Sequence, residues 1–113
     1  MAMFKDGEQV LNIEGFKLGE FDISAEGFYK NVQSFPFKVK KRKVINIKVV
    51  ADGVPVDVAV ANEKGSSVFH KQAVMEGILG PIPTDENKEM GIVVGIYPGD
   101  RATVSLDIRM EKP

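Results

Sequence analysis

The densest concentration of chemically active side chains is Lys38, Lys40, Lys41, Arg42 and Lys43, five cations within six positions. Such a cluster suits a phosphate, an anionic lipid surface or an acidic protein, each Lys or Arg adding up to about 1 kcal/mol near an anionic membrane. The same residues also suit a solvated edge and turn. Lysine on an exposed strand discourages edge-to-edge pairing, and Lys38 and Lys40 alternate with Val39 as an edge strand requires. Lys41, Arg42 and Lys43 then fit a turn before the hydrophobic run "VINIKVV". The net charge of −1 supplies no global field for a polyanion. A functional role for the cluster therefore points to a protein partner or a lipid surface, and no nucleic acid is expected.

Catalytic chemistry has little to work with. His70 is the sole histidine, so any Ser-His-Asp arrangement must use it. Ser66 and Ser67 lie close by in "SSVFHKQ", but the strand–turn–helix setting of a nucleophile elbow does not surround them. An ordinary strand or loop histidine is the simpler reading. The absence of cysteine excludes disulfides, thiol catalysis, thiolate zinc sites and iron–sulfur clusters. Asp52, Asp57 and Asp100 could offer oxygen to calcium, which needs six to eight oxygen ligands. They are scattered, Asp52 precedes Gly53 as a turn former, and Asp57 falls on the outward face of its strand. With 16 acidic residues, close carboxylate pairs arise by chance, so none is read as a glycosidase pair. Neither phosphate-binding glycine motif occurs, and the 11 glycines fit turns. The chain is thus read as a non-enzyme with no catalytic residues, no metal site and no cofactor.

Positioning any surface requires a scaffold, and the scaffold is the clearest signal. In "ATVSLDIRM", Ala102, Val104, Leu106, Ile108 and Met110 share one face, while Thr103, Ser105, Asp107 and Arg109 share the other. This period of two marks a strand buried on one side. "YPGD" before it is a turn, and "GIVVGIY" is a shorter β-rich run, so a hairpin is expected from about Ile92 to Met110. A second hairpin is expected in the middle. "VINIKVV" turns Ile45, Ile47 and Val49 inward, "ADGVP" breaks the run, and "VDVAVAN" turns Val56, Val58 and Val60 inward. "NEKGSS" is the next turn, with Asn62 and Gly65 as positive-φ positions, and "VFHKQAVM" supplies one or two short strands.

"QVLNIEGFKLGEFDIS" contains short β-prone runs punctuated by Gly15 and Gly19. Residues 24–35 fit either a helix capped by Ser24 or a strand, with strand preferred. "GPIPTDENKE" is a polar loop with room for one helical turn capped by Thr84. Many short strands with Gly/Pro turns at intervals of about 8–12 residues predict an all-β fold, an antiparallel β-sandwich of about seven to nine strands with jelly-roll-like topology.

The succession "FPFKVKKRKVINIKVVADGVPVDVAVANEKGSSVF", followed by "GIVVGIYPGDRATVSLDI", resembles the GOLD domain over residues 35–110. It is also similar to the pre-peptidase C-terminal type of sandwich. The resemblance implies a non-catalytic binding or interaction module, an accessory or adaptor domain recognising protein or lipid. Peripheral binding of anionic membrane or polyanion through Lys38–Lys43 is the alternative, and a small hydrolase is the remotest reading.

At 113 residues, with 43% hydrophobic and 27% charged, one domain over residues 1–113 is expected. No run approaches the roughly 18 apolar residues of a membrane span, and the start lacks a signal-peptide core. No Asn-x-Ser/Thr acceptor occurs at the five asparagines. The chain is expected to be soluble. Its compartment is left open, including an origin as the trimmed extracytoplasmic part of a larger exported or membrane-anchored protein.

Overall fold

The computed structural model describes residues 7–19 and 31–113. Among the described residues there are eight strands: β1 (Glu8–Gly19), β2 (Val32–Lys38), β3 (Val44–Gly53), β4 (Val56–Ala61), β5 (Ser67–Val74), β6 (Glu76–Pro83), β7 (Glu89–Gly95) and β8 (Arg101–Glu111). They form two four-stranded antiparallel sheets, ordered β1-β8-β3-β6 and β2-β7-β4-β5. Among the described residues no helix is long and apolar enough to cross a membrane.

The pairing follows one rule. β4 pairs with β5, β3 with β6, β2 with β7 and β1 with β8, so the chain is a long antiparallel ribbon folded about the β4–β5 turn. Curling that ribbon joins β3 to β8 and β4 to β7 laterally. This is the jelly-roll arrangement of a two-sheet sandwich, as the sequence predicts.

Two expectations about neighbours are corrected. β7 and β8 do not form a hairpin, because β7 lies in one sheet and β8 in the other. The same holds for β3 and β4. "YPGD" and "ADGVP" are therefore crossings between layers, whereas "NEKGSS" closes a true hairpin. Alternation was legible because it depends only on which side of a strand is wet. It contains nothing about which sheet a strand joins.

The inward faces are as expected. Ile45, Ile47, Val49, Val56, Val58, Val60, Val104 and Ile108 are all at 0% exposure. Burying a Val, Leu or Ile side chain contributes about 1.5–3 kcal/mol, so this sealed layer is the main stabilising element. Phe16 on β1 and Phe35 on β2 meet edge to face, with centroids 5.2 Å apart at 88°. They join the two sheets where an edge strand of each comes close.

Both proline-bearing strands, β2 and β6, are sheet edges. In β2 the bonds Val39 N–H to Lys88 O and Ile96 N–H to Asn31 O assign the odd-numbered residues to β7. Pro36 therefore faces the open edge, where its missing N–H costs no ladder bond and denies a donor to any added strand.

Local details differ from the sequence expectation in two places. Gly65 has φ 87°, but Asn62 is not a positive-φ residue; its side-chain oxygen instead accepts from Lys64 and Ser66 N–H groups at 3.0 Å each. Gly80–Pro83 belongs to β6, and Thr84 does not cap a helical turn. Of the segment 24–35, residues 24–30 lie outside the described residues, and 32–35 are strand.

Candidate functional site

The basic turn connects β2 to β3 and so passes from one sheet to the other. Arg42 has φ 58°, a left-handed conformation that permits the tight reversal. Its N–H donates to Asp85 O at 2.7 Å, and Thr84 N–H donates to Lys43 O at 2.8 Å. The Thr84 hydroxyl completes the joint, accepting from Lys43 N–H at 2.9 Å and donating to Lys40 O at 2.7 Å. Among the described residues Thr84 is the buried polar side chain, at 0% exposure.

The side chains of this turn point into water and meet acids. Lys40 Nζ lies 3.7 Å from Glu8, Lys41 Nζ 3.7 Å from Glu86, and Arg42 Nη1 3.1 Å from the other oxygen of Glu86. Lys38 is registered opposite Glu89. Lys43 is half-buried. Among the described residues three carboxylates thus stand against the five cations, which lowers the local positive potential. Exposed pairs of this kind contribute little to stability.

The other residues weighed for chemistry are dispersed. His70 lies opposite Ala59 on the outer face of its sheet. The Ser67 hydroxyl is directed to Phe69 O at 3.3 Å rather than to the imidazole. Asp52 sits at the end of β3, opposite Thr103. Among the described residues no three His, Asp or Glu side chains gather as a metal site would require.

A different surface comes together at one end of the sandwich. Tyr97 and Asp100 are the first and last residues of the four-residue turn leading into β8. Asp100 N–H donates to Tyr97 O at 3.1 Å, and Gly99 has φ 91°. Pro at the second position and a positive-φ Gly at the third define a type II turn. Asp57 on β4 is registered with Gly95, two residues before Tyr97. Its Oδ1 accepts from Ala73 N–H at 3.0 Å, holding a bulged point of β5 where Ala73 has φ 57°.

These residues line a cavity of about 330 Å³ with Val54, Pro55, Gln72 and Ala73. Through Asp57 and Tyr97 it runs into a shallower hollow of about 260 Å³, floored by Ala59, Val93 and Gly95 and rimmed by Val32 and His70. Tyr97 is 73% exposed and Val32 60% exposed. Neither Asp57 nor Asp100 is in an ion pair with a described residue. In the sequence both aspartates are only scattered carboxylates. Their convergence depends on β4 and β7 lying side by side, a pairing of residues 30 to 38 positions apart in the chain, which no local pattern reveals. The signal that was available is "YPGD" itself, whose turn geometry places Tyr97 and Asp100 together.

No protein-family model and no curated protein matches the chain. Among solved structures it is similar to the pre-peptidase C-terminal domain of a collagenase from Bacillus anthracis. The TM-score is 0.60 and the identity 18%, over 88% of this chain and 89% of that one. At this identity the likeness establishes the fold, and it supports the pre-peptidase C-terminal type of sandwich. The GOLD resemblance is not confirmed.

Proposed function

We propose that this chain is a non-catalytic binding module, an accessory or adaptor domain that recognises a protein or a lipid surface. The observation that carries this reading is the groove around Tyr97. A largely exposed aromatic over a concave surface with a few polar groups is how recognition sites are commonly built. The likeness to a domain appended to a collagenase supports the accessory role.

The test is photo-crosslinking from the Tyr97 turn in the native host, compared across variants. Adducts that disappear in Tyr97→Ala and persist in Lys48→Ala, an exposed position on the opposite sheet, support the proposal. Hydrolytic turnover on an ester, glycoside or peptide panel, abolished by His70→Ala, would overturn it.

A second reading is binding of anionic membrane or polyanion through Lys38, Lys40, Lys41, Arg42 and Lys43. It is favoured by one observation, the 70% and 76% side-chain exposure of Lys40 and Arg42 on a firmly tethered turn. Glu8 and Glu86 weigh against it.

A further inference from the structure

The groove lined by Tyr97, Asp57 and Asp100 has a chemical character that the module reading alone does not specify. Among the described residues two carboxylates line the 330 Å³ cavity, and no lysine, arginine or histidine does. Both aspartates are half-buried, so solvent screens them less than it would fully exposed acids. One oxygen of Asp57 is occupied by the Ala73 N–H. A carboxylate offers about four lone-pair sites, so its second oxygen retains its accepting capacity. Tyr97 is a 73% exposed aromatic residue, and Val54 and Pro55 supply an apolar wall.

We propose that this groove docks a basic segment of a partner polypeptide by taking up an arginine side chain. The proposal takes the binding-module reading as its premise and names the partner's chemistry. A guanidinium is planar, permanently charged and weakly hydrated, so it stacks on an aromatic face while its N–H fork meets carboxylates. The three parts of an arginine find counterparts here: Tyr97 for the plane, Asp57 and Asp100 for the charge, and Val54 with Pro55 for the aliphatic stem.

Other occupants fit less well. Calcium needs six to eight oxygens, and among the described residues the side chains of the lining offer two carboxylates and the Gln72 amide. Anionic lipid or nucleic acid would meet repulsion from both aspartates. A lysine brings the same charge as a compact ammonium, which stacks less well and hydrates more strongly.

Residue-resolved NMR titration of the whole chain tests this, using a capped Gly-Arg-Gly-Arg-Gly peptide. Matched Lys and Glu peptides and a neutral oligosaccharide serve as comparisons. Saturable shifts at Asp57, Ala73, Tyr97 and Asp100 are expected with the Arg peptide. They should weaken with Lys, vanish with Glu and diminish with salt. Affinity should fall about ten-fold or more in Tyr97→Ala and in Asp100→Asn, on the scale typical of truncated recognition anchors. Asp57→Asn keeps an acceptor for Ala73 and so separates loss of charge from loss of the bulge. Its unchanged spectrum away from the groove would verify folding. Shifts equal for Arg and Glu peptides, a response to the oligosaccharide alone, or silence at millimolar peptide would each overturn the proposal. If the groove is silent while the Glu peptide perturbs Lys38–Lys43, the arginine site falls and the broader module reading stands.

Discussion

The hydroxyl of Thr84 donates to the carbonyl oxygen of Lys40 across 2.7 Å, at 0% exposure, and thereby locks the backbone of the basic turn from inside the protein. Its oxygen also accepts from Lys43 N–H at 2.9 Å. The shape of the turn is therefore held by a neutral buried group. The charges on its surface are free to vary with little effect on the fold.

Thr84→Val retains shape and removes both bonds. Leaving a part-buried carbonyl and a part-buried N–H without partners costs up to about 1–3 kcal/mol, so a loss within that range is expected. Urea denaturation with an unchanged m-value is the measurement. A change below about 0.5 kcal/mol would show that the joint is held some other way.

Replacing Lys41 and Arg42 together by alanine removes the two contacts to Glu86. Both pairs are well exposed, and such pairs contribute roughly 0–1 kcal/mol, so the midpoint should scarcely move. If the turn binds anionic surfaces, the same variant loses salt-sensitive co-sedimentation with phosphatidylglycerol vesicles. Co-sedimentation equal on neutral vesicles, or indifferent to salt, counts against that role.

Two glycines with positive φ separate crowding from backbone strain. A Cβ on Gly53, at φ 115°, would stand 2.7 Å from Arg101 O, whereas one on Gly65, at φ 87°, would meet open space. Gly65→Ala should cost about 1–2 kcal/mol from conformation alone. Gly53→Ala should cost more, because the β3–β8 ladder must also give way. Equal losses by thermal or chemical denaturation would refute the crowding.

Adjacent residues of β3 test the sandwich directly. Ile47 is at 0% exposure and Lys48 is exposed. Ile47→Ala should lose about 2–5 kcal/mol by vacating a packed site, and Lys48→Ala should stay within about 0.5 kcal/mol. A one-residue change of register would invert that order.

Phe16 and Phe35 join opposite sheets through an edge-to-face contact at 5.2 Å. A double-mutant cycle to leucine is expected to return a coupling of about 0.5–1.5 kcal/mol. Additive losses would mean that the rings act only as independent buried area.

By itself the sequence determined which residues are inside. Ile45, Ile47 and Val49, then Val56, Val58 and Val60, then Val104, Leu106 and Ile108 all face the core, because a period of two leaves one side of each strand to be buried. It also determined the class of fold, since many short alternating runs punctuated by Gly and Pro have few other ways to bury their apolar faces. What only the tertiary structure decided was who stands beside whom. "ADGVP" and "YPGD" are composed like hairpin turns, yet each passes to the opposite layer, because a curled ribbon pairs β3 with β8 and β4 with β7. The same long-range pairing brings Asp57 to Tyr97 and Asp100, and it sets the basic turn against Thr84 and Glu86. Local chemistry dictates a side chain's direction. Neighbours distant in sequence are chosen by the closing of both sheets over one core.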